Sequence, residues 1–390
     1  MSAFRIDVYS VNGVRENGHT GAVSRVQISS RASRVGALSF TVPTLEYINA
    51  GMAGRKWYWL YHQRFGLIGR YRHLSEEFDE NNEAVTVTCE DALASLIDIS
   101  LDFNMASTAE AIGTALNRVL GRAGWSATLA NSVGDYFDVN ADYQGINVFQ
   151  AIDTIRQLQR GFFVLNGTNA VRFGRWTDAL RDGSAATLIT NAPLSGVIGI
   201  GNAVVKTLTV SGTSQSIVNR IIPRGQGLGE TQVDLSLSTR TTPIYPYSVQ
   251  SRANWDGTNT AGSAPSGALT KTYYIEDSTS IAANGVVERV AVFSDIRPIT
   301  NSLADRRNAA NALYDISAAY MQQYRNQTTE YQLVATGLTA LVNAGDVVLV
   351  DYRGVSYTAA GRVSRVRLDM KRFFVVEASH DFDDTSGEVV

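Results

Sequence analysis

Asp305-Arg-Arg-Asn-Ala-Ala-Asn-Ala-Leu-Tyr-Asp-Ile-Ser-Ala-Ala-Tyr320, followed after a polar strand from Tyr331 by Asn343-Ala-Gly-Asp-Val-Val-Leu-Val-Asp351, is the stretch that decides the fold. In its first part Ala309, Leu313, Ile316, Ala319 and Tyr320 recur at helical spacing, leaving Asp305, Arg306, Asn308 and Asp315 for the other side. The spacing predicts a helix over 303–324, and Ala310, Ala312, Ala318 and Ala319 let a neighbour approach it closely. In the second part, Gly345-Asp346 supplies a turn with positive φ and a self-capping carboxylate before the apolar run Val347 to Val350. A helix, a strand, a Gly-Asp turn and a buried strand, with no enzyme motif among them, describe a part of an assembly rather than a catalyst.

Outward from this stretch the chain is mainly β. Phe4, Ile6 and Val8 alternate, and strands follow at Val23–Ile28, Leu38–Val42, Trp57–Tyr61, Phe65–Leu74 and Ala84–Thr88. Asn12-Gly13, Asn17-Gly18, Gly51 and the polar 79–82 segment read as turns between them. Short strands at this spacing predict a sandwich or small barrel over 1–98. The period then changes to helical. Ser107-Thr108 ahead of Glu110 reads as an N-cap for a helix carrying Ile112, Leu116, Val119 and Leu120, and a second helix runs from Asn147 to Arg160. A hairpin turning at Asn166-Gly167 completes a peripheral α+β unit over 99–200. Strands at Val204–Val210 and Ile217–Pro223 assign 201–235, with 325–390, to a second, discontinuous β unit. The remaining 236–324 segment is an insertion, with an exposed or mobile loop from Tyr245 to Thr270 before the long helix.

Composition narrows the function. The 390 residues exceed one ordinary core, so two to four domains are expected. No apolar run is long enough to span a bilayer, which excludes stable membrane insertion by a helix, and Met1 to Asp7 has no signal-peptide character. Production and retention in a cytoplasm, at least until assembly, are expected. A net charge of −3 gives no general drive toward nucleic acid, and the single Cys89, inside an alternating strand, reads as a buried structural thiol. Four Lys against 30 Arg suit planar polar contacts between subunits, as they also suit a biased genome.

The two ends of the chain echo each other. Trp59-Leu-Tyr-His-Gln-Arg-Phe-Gly-Leu-Ile-Gly69-Arg70 and Leu349-Val-Asp-Tyr-Arg-Gly-Val-Ser-Tyr-Thr-Ala-Ala-Gly361-Arg362 share strand, turn, strand and Gly-Arg. Each is followed by a polar turn and then by Val85-Thr-Val-Thr-Cys-Glu90 or Phe373-Phe-Val-Val-Glu377. Gly69 and Gly361 read as positions for a bulge or close backbone approach. With Val218-Asn-Arg-Ile-Ile-Pro-Arg-Gly225 and the 305–351 stretch, this order resembles the tail-tip baseplate hub (tail-associated, Tal-like) proteins of bacteriophages. The resemblance implies a multi-domain fold in which two small β-barrel ring domains per subunit sit beside peripheral α+β domains. It implies a homotrimer whose six barrels adapt the sixfold tail tube to a threefold tip, closed before infection and then open for genome ejection. The implied partners are the tail tube or distal tail protein, the tape-measure protein, separate tip, spike or fibre proteins, and DNA in passage. Because the chain stops at Val390, spike, fibre or hydrolase tasks are expected of other chains.

No cofactor, metal or catalytic residue is expected. The four histidines are scattered without ligand spacing, and Asp381, Asp383, Asp384 and Glu388 lack the full pattern of a calcium loop. Glu76, Glu77, Asp79 and Glu80 offer carboxylates for glycoside cleavage, but a hairpin loop has nothing to desolvate one of them. Gly225-Gln-Gly-Leu-Gly229 fails the dinucleotide spacing. The densest positive stretches, Arg70 and Arg72 with Arg365, Arg367, Lys371 and Arg372, read as subunit contacts or as lumen contacts with passing DNA. Two other classes stay open: a cell-wall hydrolase using Glu76 or Glu77, and a receptor-binding module gripping glycans through Tyr245, Tyr247 and Trp255.

Overall fold

A computed structural model describes residues 3–101, 110–130, 136, 139, 143, 145–175, 187–190, 203–213, 217–227, 232–240, 247–253, 271–294, 296–298, 300–326, 328–338, 340–357 and 363–382. The chain begins with β1 (Phe4–Tyr9), β2 (Arg15–Thr20), β3 (Ser24–Arg31), β4 (Ala37–Pro43), the short helix α1 (Thr44–Asn49), β5 (Trp57–His62), β6 (Gly66–Asp79) and β7 (Ala84–Asp91). Period-two alternation sets the inward face: Ile6, Val8, Leu38, Phe40, Tyr58, Leu60, Val85, Val87 and Cys89 are buried. Burial pushes the Cys89 thiol above its ordinary range. Asn12-Gly13 turns as expected, Gly13 taking φ +75°. Asn17-Gly18 instead lies inside β2, where Asp7↔His19 and Tyr9↔Arg15 bracket an irregular register. A turn-forming pair here makes a bulge because pairing with β1 continues past it.

The next unit packs α2 (Ile112–Gly121) and α3 (Val148–Gln159) on a sheet of β8 (Ser126–Leu129), β9 (Gly161–Leu165) and β10 (Ala170–Arg175), in the order β8-β10-β9. Ser107-Thr108 lies outside the described residues, and α2 starts only at Ile112 without a side-chain cap. Glu110 is drawn into a bridge with Val139 instead. For α3 the expectation and the structure agree: Gln150 N–H donates to Asn147 Oδ1 (2.8 Å) and Asn147 N–H to Gln150 Oε1 (3.0 Å).

After β11 (Thr187–Thr190) and β12 (Ala203–Thr213) come β13 (Arg220–Arg224), β14 (Val249–Ala253), β15 (Lys271–Glu276), α4 (Ser278–Asn284), β16 (Glu288–Val292) and α5 (Leu303–Tyr324). The α5 bounds match the spacing of the opening stretch. The sequence reading assigns 201–235 to the second β unit, but only β12 goes there. β13 joins the sheet β14-β15-β13-β16, because Val218 and Ile221 pack with Leu313 and Tyr314 of α5. β14 also occupies part of the segment read as loop, while 254–270 lies outside the described residues. Asp315, read as available on the outer side of α5, is buried and ion-paired with the exposed Arg240.

The last strands are β17 (Thr328–Thr336), β18 (Val347–Tyr357), β19 (Val363–Phe374) and β20 (Glu377–Asp381). Five strands form the sheet β17-β12-β11-β18-β19, and β20 crosses to the N-terminal sheet, giving β2-β1-β5-β6-β7-β4-β3-β20. The echoed hairpins are both present, as β5-β6 and β18-β19. Their sequels differ. The polar stretch after Leu368 is not a turn but an irregularity within β19, where Val350↔Lys371 and Tyr352↔Leu368 flank a register shift. The two sheets share one core, in which Val205, Val348, Val350 and Phe382 join Phe4, Ile28 and Leu38.

The chain is thus β-rich and multi-domain, as expected, but neither sheet is a closed barrel among the described residues. Both curl, and side chains rather than ladders meet at the seams. Across the five-stranded sheet Tyr331 of β17 packs on Phe373 of β19 with centroids 4.5 Å apart, and Lys371 Nζ donates to Tyr331 Oη (3.3 Å). Across the eight-stranded sheet Phe4 of β1 meets Phe382, just past β20, at 4.8 Å. Closure requires the first and last strands to exchange backbone hydrogen bonds in register. Among the described residues β17 pairs only with β12, and β20 only with β3.

Candidate interaction surfaces

The Gly345-Asp346 turn is the best-defined of the expected sites. Gly345 takes φ +95°, and a Cβ there would stand 2.8 Å from Val164 Cγ2 of β9. Asn343 N–H donates to Asp346 Oδ2 (2.7 Å), Gly345 N–H to Val375 O (2.9 Å) and Ala344 N–H to Ser30 Oγ (2.9 Å). Burial pushes the Asp346 carboxyl above its ordinary range. The turn therefore clips three parts of the chain together: β3, the peripheral hairpin and the link between β19 and β20. Gly69 lies beside a register shift on β6, and a Cβ there would come within 2.9 Å of the Tyr71 ring. Gly361 lies outside the described residues.

The candidate arginines separate into two groups. Arg70 stacks over Trp57 (4.9 Å to the centroid) and donates to Asn169 Oδ1 (2.8 Å); burial lowers its pKa. Arg72 is held by Glu90 (2.9 Å) and by Asp98. Arg70 binds the first sheet to its peripheral unit, and Arg72 binds β6 to β7 and to the segment that follows β7. Arg365, Arg367 and Arg372 lie on β19, the outer strand of the five-stranded sheet, opposite Val355, Arg353 and Leu349 of β18. The side chains of Arg365 and Arg367 are not among those described.

Among the described residues, the carboxylates and the tyrosine of the enzyme and glycan-binding readings are not brought into a common site. Glu76, Glu77, Asp79 and Glu80 are exposed at the end of the β6-β7 hairpin. Glu76 pairs with His73 (2.7 Å), and Asp79 accepts from Asn82 Nδ2 (2.6 Å), which holds its carboxyl below the usual range. No grouping of His, Cys, Asp or Glu that could hold a metal occurs among the described residues. Gly225 and Gly227 lie in a loop pinned by Gly225 N–H to Val233 O (2.8 Å). Tyr245, Trp255, Asp383, Asp384 and Glu388 lie outside the described residues. Tyr247 is buried and donates to Gln322 Oε1 (2.8 Å), a core role.

One joint escapes the sequence reading. Asp91, buried at the end of β7, accepts from Gly36 N–H (2.7 Å) and Leu93 N–H (2.9 Å), so it ties two strands to the start of the peripheral unit. Burial pushes its carboxyl up to about 6, against the two donors that favour ionisation. The signal available was Asp91 directly before the apolar Ala92-Leu-Ala-Ser-Leu96, an N-cap pattern.

No protein-family model matches the sequence, and no curated protein does. Solved structures match it end to end. They include the tail protein from Neisseria meningitidis MC58, at 12% identity over 99% of this chain and 95% of that one (TM-score 0.54). The 43 kDa tail protein of prophage MuSo2 from Shewanella oneidensis matches at 11% identity over 99% and 98% (TM-score 0.53). Prophage tail protein gp18 from Listeria monocytogenes EGD-e matches at 10% identity over 98% and 95% (TM-score 0.51). The chain has the fold of prophage tail proteins. At these identities the likeness is one of fold, and it covers both sheets and the units between them.

Proposed function

We propose that this chain is a structural protein of a phage tail, placed at the tip as a hub. Three copies form a ring in which each contributes two curled sheets, so that a threefold assembly offers six similar surfaces to the sixfold tail tube. The ring stands between the tube or distal tail protein and separate tip, spike or fibre proteins. It accommodates the tape-measure protein and later serves as the conduit for DNA. The chain performs no catalysis of its own.

The observation that carries this reading is the end-to-end likeness of fold to tail proteins, in a chain whose two curled sheets share a single core. With Arg70 and Arg72 engaged inside the subunit, contacts to neighbours or the lumen fall to the β19 residues Arg365, Arg367 and Arg372. The test is native mass spectrometry of the protein with purified tail-tube protein from the same particle. A complex containing three copies of this chain is expected. Absence of any complex, together with release of soluble sugar from purified cell wall that Glu76→Gln or Glu77→Gln abolishes, would replace the hub with an enzyme.

A further inference from the structure

A groove of about 1060 Å³ lies between β17 and β20. Residues 329–335 form one wall and 373–381 the other, and Leu208, Leu333, Val348 and Phe373 contribute an apolar floor. β17 in the first wall and β20 in the second are outer strands of their sheets among the described residues, so each presents backbone N–H and C=O groups with no ladder partner on that side. The space matches a strand. Seven extended residues run about 23 Å, and with about 4.8 Å between paired strands and about 10 Å between packed faces they fill roughly 1100 Å³.

Among the described residues the charged side chains lining the groove are Glu330, Glu377 and Asp381, and Lys371 stands beside it, bonded to the lining Tyr331. Glu377 is held by Arg31 (2.8 Å), whereas Glu330 and Asp381 have no ion pair among the described residues. An extended segment alternating apolar and basic residues complements such a site. The chain carries one in Val363-Ser-Arg365-Val366-Arg367-Leu368, the first half of β19, itself an outer strand with its second edge unpaired among the described residues. Within one subunit that half cannot reach the groove, because Arg367 lies about 20 Å along the strand from Phe373 at the groove wall.

We propose that the groove receives the free edge of β19 from a second copy of this chain, joining subunits head to tail by strand addition, with Arg365 and Arg367 set against Glu330 and Asp381. The inference rests on the ring reading and names the joint that closes it. Sedimentation of the full chain distinguishes the two. Glu330→Arg with Asp381→Arg, and separately Arg365→Glu with Arg367→Glu, are expected to weaken self-association at least tenfold. Combining all four reversals is expected to restore it, and urea midpoints identify any variant that fails to fold. Independently of those variants, a synthetic peptide of residues 362–370 should shift wild-type oligomers toward monomer, and the same peptide with both arginines changed to glutamate should not. If the wild type self-associates but neither reversal nor peptide alters it, the joint is wrong and the ring reading stands. If reversal weakens association and the fourfold variant does not recover it, β19 is not the donor. A wild type that stays monomeric at every concentration overturns both.

Discussion

Replacing Gly345 by Ala tests whether the Gly-Asp turn is the clip that holds the two sheets and the peripheral hairpin together. Two costs follow from the geometry. At φ +95° a Cβ brings a left-handed backbone penalty of about 1–2 kcal/mol. The new methyl also stands 2.8 Å from Val164 Cγ2, and the loop cannot swing away because Gly345 and Ala344 N–H groups are tied to Val375 and Ser30. Overpacking of this kind costs about 1–3 kcal/mol, so Gly345→Ala should destabilise by about 2–5 kcal/mol. Val164→Ala alone removes two buried methyls and should cost about 2 kcal/mol. In the double variant the clashing methyls are gone, so the total should fall short of the sum by the overpacking part, about 1–3 kcal/mol. Urea unfolding followed by Trp fluorescence on wild type, both single variants and the double supplies the cycle. Additivity to within about 0.5 kcal/mol would refute the contact between turn and hairpin, whatever the single values.

Three further outcomes are expected. Asp91→Ala orphans the Gly36 and Leu93 N–H groups and should cost about 2–5 kcal/mol in the same assay; a loss below about 0.5 kcal/mol would remove Asp91 from the joint. Burial holds the His380 pKa below the ordinary 6.5, while its Nε2–H donates to Val342 O (2.6 Å). Above pH 6.5 folded and unfolded forms are both neutral, and below it the unfolded chain takes up the proton first, so stability falls. Between pH 7.5 and 5 the wild type should therefore lose more stability than His380→Gln, and parallel pH profiles would contradict that assignment. Cys89, fully buried with a raised pKa, should react with a thiol reagent only as fast as the protein unfolds, so rapid labelling in native buffer would show that the first sheet opens locally.

Much of this architecture was legible where local pattern and tertiary packing agree. The bounds of α5 followed from apolar spacing, and so did the start of α3 near Asn147, where the structure adds a reciprocal cap with Gln150. Pattern failed where a partner distant in sequence decided the outcome. Asn17-Gly18 is a turn signal that pairing with β1 absorbs into a strand, and β13 carries no mark showing that α5, far along the chain, will claim it. The crossing of β20 is similar: Glu377 to Asp381 has the alternation of any outer strand, and only pairing with β3 fixes its sheet. For the site, Arg70 and Arg72 looked the same in sequence as the β19 arginines. Their acceptors come from elsewhere in the chain: Glu90 meets Arg72 across the β6-β7 pair, Asp98 follows β7, and Asn169 reaches Arg70 only when the peripheral hairpin folds against β6. Asp91 was missed because its N-cap pattern is local, whereas its second donor, Gly36, lies on another strand connection.

If one polypeptide with two curled sheets lets three copies present six similar surfaces, electron-microscopic class averages of the purified full-length protein, with its native mass measured in parallel, will show it. The expected result is a mass of three chains and an annular particle with six inner lobes and three outer ones. A monomer at every concentration, or an oligomer whose inner lobes do not number six, would contradict it.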